Sequence, residues 1–246
     1  MEEQLHLIRA LCRQENHLVT AAALKAIQSL GTLAEDDLST PEYGTPEYLV
    51  NCDTQGRPVR SSIKSQDPHD PRWYKVVDGQ ILVLRWLAHF LGLRHRAIHL
   101  FLDHPDHPDC TFVQIRSLAK YNQPGLFDIP VAGHVDGLDS PEETVRKELN
   151  EELGLDIDQD LVDLRVLAIF NVAIPDFQPN YAEIEHTTLY RATIEPASYS
   201  RIRLQEDELG GLILFRKDEL AGWIASRGEQ VGGGLADSWY YYVEDA

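Results

Sequence analysis

Residues 140–154, SPEETVRKELNEELG, constrain the fold more than any other stretch, because they specify both ends of one helix. Ser140 can cap the helix, Pro141 suits its first position, and Glu143 completes a capping box. Gly154 supplies the stop. Apolar residues recur every four positions, at Val145, Leu149 and Leu153, and form the side of the helix that faces the core.

The same helix carries three carboxylates near its C-terminal end, those of Glu148, Glu151 and Glu152. The helix dipole disfavours negative charge there, and Glu148 and Glu152 repel each other by roughly 0.2–0.5 kcal/mol as an i, i+4 pair. A bound divalent cation would remove both penalties, since Mg²⁺ combines one or two carboxylates with waters and substrate phosphates. The alternative is a solvated acidic face, which is usual for a run of charge.

The spacing resembles the sequence box of the Nudix hydrolase family, G-x5-E-x7-R-E-U-x-E-E-x-G-U, in which U is aliphatic. The matching positions are Gly133, Glu148, Leu149, Glu151, Glu152, Gly154 and Leu155. Two positions depart from the box, because Asp139 replaces a glutamate and Lys147 replaces an arginine. Both keep the sign of the charge, but lysine cannot fork to a carboxylate as arginine does. These two differences leave open how the charged side chains of the box hold its loop in place.

The resemblance implies an α/β fold, a Nudix-type α/β/α sandwich with a mixed sheet. Residues 1–46 are predicted to form a helical N-terminal extension, with two short helices before residue 31, and a linker. Residues 47–246 are predicted to form the Nudix hydrolase domain.

Hydrophobic patterns and turn residues predict the remaining elements. They are a strand, a turn and a strand over 47–59, a loop at 66–72, an apolar helix over 79–93 that Gly92 ends, strands at 96–102 and 110–116 joined by a solvated tip, and a closing helix at 218–226. The aromatic C-terminal stretch SWYYYVEDA is expected to pack against the domain, with stacking on a nucleobase as the alternative.

Stretches outside the box resemble the Nudix branch related to isopentenyl-diphosphate isomerase over roughly residues 47–225. They read RHRAIHLFL, QIRSLAKYNQPGLFDIPVAGH and YAEIEH. The resemblance implies a divalent metal held at His95, His134, Glu183, Glu185 and, from the box, Glu152. The isomerase uses a cysteine for acid/base work at the position that Ala132 occupies here. Without the resemblance, the histidines would be ordinary hydrogen-bonding residues and the strand glutamates would face solvent.

Basic residues that could contact phosphate are Arg94, Arg96, Arg116 and Lys120. Arginine forks to phosphate oxygens, so Arg116 is favoured as a phosphate contact, with a surface salt bridge as the alternative.

The net charge of −18 argues against nonspecific nucleic-acid binding, which needs clustered lysine and arginine. A small phosphate ester can still bind an acidic protein through a metal ion. No apolar run is long enough to span a bilayer, and the start of the chain lacks a secretory pattern, so a cytoplasmic protein is expected. Cys12, Cys52 and Cys110 follow no metal-binding spacing and are expected to be free thiols.

These observations predict a hydrolase that uses Mg²⁺ or Mn²⁺ to cleave a diphosphate bond in a nucleoside diphosphate derivative or a related small organic diphosphate. Glu148, Glu151 and Glu152 would hold metal, and Glu148 or the pair Glu183 and Glu185 would supply the general base. Isopentenyl-diphosphate isomerisation and non-catalytic nucleotide sensing are the alternatives. Ala132 counts against the first, and the intact glutamates count against the second. A homodimer is a further expectation from the resemblance.

Overall fold

The computed structural model describes residues 2–30, 47–61, 73–226 and 228–245. The chain divides into two compact units. The first consists of Met1–Ala97, His134–Asp139 and Asn171–Thr187, and the second of Ile98–Gly133, Ser140–Phe170 and Thr188–Ala246. The predicted linker before residue 47 and the predicted loop at 66–72 fall on residues outside the described ranges.

The first unit begins with two helices, as predicted: α1, Glu2–Gln14, and α2, Ala21–Gln28. Thr20 caps α2 by accepting a hydrogen bond from the backbone N–H of Ala23. A small antiparallel sheet follows in the order β1-β3-β2, where β1 is Tyr48–Val50, β2 is Tyr74–Val77 and β3 is Gln80–Leu84. Helix α3, Arg85–Leu91, packs with these elements in one apolar core.

The prediction of one apolar helix over 79–93 is wrong, because its first part is strand β3 and only the rest is α3. Asp78 and Gly79 both have positive φ, 50° and 75°, and form the two-residue turn between β2 and β3. Asp-Gly between apolar runs favours this hairpin. Strand β3 then pairs on both sides, with β1 and β2. Gly92 ends α3 in the left-handed conformation, as predicted.

The predicted strand, turn and strand over 47–59 is only partly correct. The first strand is β1, and the return of the chain is limited to an isolated bridge between Cys52 and Pro58. The Asp53 carboxylate accepts backbone hydrogen bonds from Gln55 and Arg57 and shapes the turn.

The larger sheet has seven strands, with the order β10-β5-β4-β9-β8, and β6 and β7 pair with β5 and β4. Its strands are β4 His95–His104, β5 His107–Arg116, β6 Phe127–Asp128, β7 Val131–His134, β8 Leu161–Gln178, β9 Tyr181–Ile194 and β10 Leu209–Arg216. The remaining helices are α4 Pro141–Leu153, α5 Ile157–Asp160, α6 Lys217–Ser226 and α7 Gly233–Glu244. The predicted closing helix α6 and the predicted hairpin of β4 and β5 are confirmed, but the hairpin tip is shorter than predicted, because the strands extend to His104 and from His107.

Helix α4 has the predicted boundaries. Ser140 and Glu143 form the reciprocal capping box, and Gly154 ends the helix with φ of 68°. Its core-facing stripe, Val145, Leu149 and Leu153, is fully buried. The local sequence signals therefore decide this helix.

The aromatic C-terminal stretch belongs to α7 and packs, as expected, with Trp239 and Tyr242 buried. Sequence reasoning did not predict that the stretch is helical. The three cysteines are free, as predicted. Within the described ranges, every helix is too short or too polar to cross a bilayer.

The hairpin turn gives a stability prediction. Gly79→Ala forces an L-residue into the left-handed region and should lower the free energy of unfolding by roughly 1–2 kcal/mol. The matched control is Gly222→Ala in α6, where an added Cβ meets open space. That change should raise stability by roughly 0.5–1 kcal/mol. Urea unfolding followed by circular dichroism measures the free energy of unfolding of both variants. Equal effects of the two substitutions would contradict the positive φ assigned to Gly79 in this turn.

Candidate functional site

The second unit carries the glutamates of α4. Glu152 is 5% exposed, and its Oε2 atom has no hydrogen-bond partner among the described residues. Burial, and after it the negative charges of Glu148 and Glu208, raises the pKa of Glu152 well above its usual value, although Lys120 and Arg116 act in the opposite direction. Glu148 is half-buried and Glu151 is exposed. The carboxyl group of Glu152 is therefore buried, with an oxygen that lacks a donor in the described part of the chain.

Gly133 explains why the box begins with glycine. A Cβ atom at this position would lie 2.2 Å from Oε1 of Glu148. Any other residue would push the Glu148 side chain away. Glycine is therefore required here because a side chain would collide with this carboxylate, and not because the backbone has a positive φ.

Two of the predicted phosphate contacts lie in the same unit. Arg116 donates to Oδ2 of Asp128 at 3.3 Å and to the carbonyl oxygen of Asn122. Lys120 forms an ion pair with Glu208. Each cation thus has a defined orientation.

The other two basic residues, Arg94 and Arg96, lie in the first unit. Arg94 is buried and donates to the carbonyl oxygen of Asn16 at 3.1 Å. Arg96 is half-buried and donates to the carbonyl oxygen of Asp139 at 3.4 Å. Burial lowers the pKa of both guanidinium groups, while Asp53 acts in the opposite direction on Arg94 and Asp139 does so on Arg96. Arg94 is the less accessible of the two to a ligand.

The first unit also contains a cluster of three imidazoles, those of His89 on α3, His95 on β4 and His134 on β7. Their ring centroids are 4.7–5.0 Å apart. Nδ1–H of His95 donates to the carbonyl oxygen of Leu93 at 2.9 Å, which leaves the lone pair on Nε2. That Nε2 is buried and has no hydrogen-bond partner in the described part of the chain. A buried histidine that donates from one ring nitrogen and keeps an unused lone pair on the other is typical of a metal ligand.

Strand β9 adds two carboxylates to the imidazoles. Oε1 of Glu185 lies 3.4 Å from Nε2 of His134 and 3.8 Å from Nε2 of His95. Oε1 of Glu183 lies 3.9 Å from Nδ1 of His89. The potential ligand atoms form two overlapping groups, each within 4.8 Å: His89, His95 and His134, and His134, Glu183 and Glu185.

Burial keeps two of these imidazoles neutral. It lowers the pKa of His95 to about 4, with a further contribution from His134. The pKa of His89 is likewise lowered well below its usual value, chiefly by burial. Neutral imidazole is the form that binds metal ions.

Sequence reasoning missed His89. Its Nδ1–H donates to the carbonyl oxygen of Ala182 at 3.0 Å, and the Tyr181 hydroxyl lies 3.2 Å from its Nε2. The pattern of the segment that contains it predicts only an apolar helix. A histidine that interrupts such a run, six residues before His95, was the available signal.

The structure thus brings together His95, His134, Glu183 and Glu185 in the first unit, whereas Glu152, the fifth ligand that the resemblance implies, belongs to the second unit. In the second unit it brings together Glu148, Glu152, Arg116 and Lys120. That these residues bind metal or phosphate stays a prediction.

A model of the NUDIX domain matches residues 93–231, more than half of the chain. The chain belongs to the Nudix family. The predicted fold class, a mixed sheet with helices and a helical N-terminal segment, is confirmed. The prediction of a Nudix-type enzyme is confirmed at the level of the family.

Among curated proteins, this Nudix chain is similar to isopentenyl-diphosphate Delta-isomerases. Over 86 residues it is 34% identical to that of Roseobacter denitrificans and 36% identical to that of Dinoroseobacter shibae. In both cases the match covers 35% of this chain and 46% of the relative, so the chain spans about half the length of these relatives.

One solved structure with a similar fold is DR0079 from Deinococcus radiodurans, with a TM-score of 0.52. It is 24% identical in sequence, and the match covers 79% of this chain and 98% of the other. At this identity the likeness shows the fold alone.

The buried charge on α4 gives a second stability prediction. Glu152→Gln keeps the size of the side chain and removes the repulsion with Glu148, so in excess chelator the free energy of unfolding should rise, on the order of 1 kcal/mol. Glu151→Gln, exposed on the same helix, is the matched control and should change it by less than about 0.5 kcal/mol. Urea unfolding of both variants tests this. A Glu152→Gln protein less stable than the control would make Glu152 a structural residue.

Proposed function

We propose that this Nudix protein is a divalent-metal-dependent hydrolase that cleaves a diphosphate bond in a nucleoside diphosphate derivative or a related organic diphosphate. The observation that carries the proposal is the buried Glu152 carboxylate, next to Glu148 and with an oxygen that lacks a donor. Such a charge is expensive to bury without a cation.

Glu148, Glu151 and Glu152 are the residues that would hold Mg²⁺ or Mn²⁺, because hard cations take carboxylate oxygens. His95, His134 and Glu183 are proposed as further metal ligands, joined by Glu185 and by His89. This mixed nitrogen and oxygen set suits Mn²⁺ or Zn²⁺ better than Mg²⁺. The lone pair on Nε2 of His95 supports this assignment.

When bound, the metal supplies charge neutralisation at the phosphates and lowers the pKa of a water molecule. The protein must orient the diphosphate, and the guanidinium of Arg116 and the ammonium of Lys120 are suited to bind its oxygens. Arg94 and Arg96 are proposed as secondary contacts. A carboxylate must also accept the proton of the attacking water, and Glu148 and the pair Glu183 and Glu185 are the candidates for this base.

Isomerisation of isopentenyl diphosphate is a second candidate, favoured by the curated relatives and by the imidazole and carboxylate cluster. It requires protonation at one carbon and deprotonation at another. Ala132 can do neither, and it occupies the position where the resemblance places a cysteine. Three intact glutamates on α4 further favour phosphoryl chemistry, and they count against a non-catalytic nucleotide sensor.

Three wider expectations belong to this proposal. They are a domain boundary near residue 46, a cytoplasmic location, and a homodimer that acts on a small molecule without nucleic acid or membrane as a partner. Size-exclusion chromatography with light scattering tests the homodimer directly.

The activity is tested by a screen of nucleoside diphosphate compounds with Mg²⁺ or Mn²⁺, with release of phosphate or nucleoside monophosphate as the readout. We expect turnover of at least one compound, background rates in excess chelator, and a loss of roughly a hundredfold or more in Glu148→Gln and in Glu152→Gln. Glu142→Gln, exposed in the first turn of the same helix, is the control and should keep wild-type activity. A flat screen at high enzyme concentration would favour a sensor.

The isomerase alternative is tested by incubating wild-type protein with isopentenyl diphosphate in deuterated water. We expect no deuterium at the isoprenoid carbons over hours, because Ala132 offers no proton. Ala132→Cys alone should not create the exchange, since the partner base and the isoprenoid pocket would still be required. Enzyme-dependent deuterium incorporation by the wild type would overturn the hydrolase proposal.

A further inference from the structure

Helix α7 begins at Gly233, beyond residue 231 where the Nudix match ends, yet it is joined to the strands of the second unit by buried polar contacts. Nδ1 of His99 lies 2.7 Å from the Ser238 hydroxyl. The Tyr242 hydroxyl donates to Asp103. The backbone N–H of Leu235 donates to Oδ1 of Asp128 at 2.8 Å. The helix is therefore an integral part of this unit.

Asp128 joins this helix to Arg116. The residue is 4% exposed, and its Oδ1 accepts hydrogen bonds from the N–H groups of Ile129 and Leu235. Its Oδ2 accepts from Arg116 at 3.3 Å. One carboxylate thus satisfies the first turn of α7 with one oxygen and orients a guanidinium with the other.

The glycines at the start of α7 make this approach possible. A Cβ atom at Gly232 would lie 2.4 Å from Oδ2 of Asp128, and one at Gly234 would lie 2.9 Å from Oδ1. Larger residues at these two positions would displace the carboxylate. The helix N-terminus already holds an anionic group, so we assign no phosphate to it.

Arg116 is held from a second direction but stays accessible. Its Nε and a terminal nitrogen donate to the carbonyl oxygen of Asn122 at 3.3 and 3.0 Å. The side chain remains 17% exposed. A cation fixed by two partners loses little conformational freedom when it binds an anion.

We propose that Asp128 is a positioning residue that aims Arg116 at the substrate phosphate, and that the first turn of α7, through Asp128, is part of the phosphate-binding apparatus. This inference rests on the proposed function, in which Arg116 contacts phosphate. A merely structural Asp128 would cap α7 without affecting anion binding.

The test measures the binding of inorganic pyrophosphate with Mg²⁺ to the full chain by calorimetry. Asp128→Asn can keep Oδ1 as an acceptor for Leu235 but loses the anionic acceptor for Arg116. We expect about tenfold weaker pyrophosphate binding, and a higher KM with a smaller change in kcat. In an Arg116→Gln background the same substitution should have no further effect on binding, because its action runs through Arg116.

A matched pair of glycine variants and one further variant separate positioning from folding. Gly234→Ala moves the Asp128 carboxylate without changing its charge and should weaken binding in the same direction, whereas Gly222→Ala, where the Cβ meets open space, should not. This pair also serves if Asp128→Asn does not fold. Ser238→Ala removes the contact with His99 and should lower stability while leaving pyrophosphate binding within about twofold.

The outcomes of these experiments separate the role of Asp128 from the proposed role of Arg116, on which it rests. If wild type does not bind pyrophosphate, or Arg116→Gln binds it normally, the proposed role of Arg116 fails and the inference falls with it. If Arg116→Gln binds weakly but Asp128→Asn and Gly234→Ala bind normally, the inference alone is overturned. Equal weakening by Ser238→Ala and Asp128→Asn would also overturn it, since general loosening of α7 would then explain the effect.

Discussion

The burial of a charged group on α4 is the constraint on which the rest of the site depends. The stripe that holds the helix in the core includes Leu149 and Leu153, and at 100° per residue Glu152 lies between them in projection. Packing the leucines therefore buries the carboxylate. Gly133, which lacks a side chain, makes room for Glu148 beside it. The fold thus places carboxyl groups where their ionised forms would need a cation to balance them.

The two units offer different ligand chemistry. On α4 the donors are carboxylate oxygens, which suit Mg²⁺, whereas His89, His95 and His134 with the β9 glutamates combine nitrogen and oxygen donors. Backbone carbonyl groups of Leu93 and Ala182 fix the tautomers of His95 and His89. The Nε2 lone pair of His95 is held ready for a metal ion in this way, whereas that of His89 faces the Tyr181 hydroxyl, which would have to move first.

Local sequence signals predicted α4 to the residue, because its caps and stripe all lie within fifteen positions and act independently of the rest of the fold. The same local signals failed over residues 79–93, because continuous apolar residues suit a buried strand as well as a helix. Only the pairing of β3 with β1 and β2 decides that its residues form a strand. The Asp78-Gly79 turn was a readable signal. Helix α7 is aromatic rather than clearly amphipathic, so its contacts with buried partners decide its state.

The residues of the candidate site likewise divide into those that the sequence alone could indicate and those that it could not. Glu148, Glu151 and Glu152 could be found from spacing within one helix. His95, His134, Glu183 and Glu185 are far apart in sequence, so only the family resemblance groups them. His89 lies in a segment whose apolar pattern predicts a helix and no site. The burial of Arg94 could not be read from the sequence, since it depends on the packing of the first unit around it.

The central claim is that the α4 carboxylates are a cation site, and its most direct test is the effect of Mg²⁺ on the free energy of unfolding. With Mg²⁺ at about one hundred times its dissociation constant, wild type should gain about 2.7 kcal/mol over protein in chelator. A Glu148→Gln, Glu152→Gln double variant should gain almost nothing. An equal gain in both proteins, or none in wild type, would contradict the account.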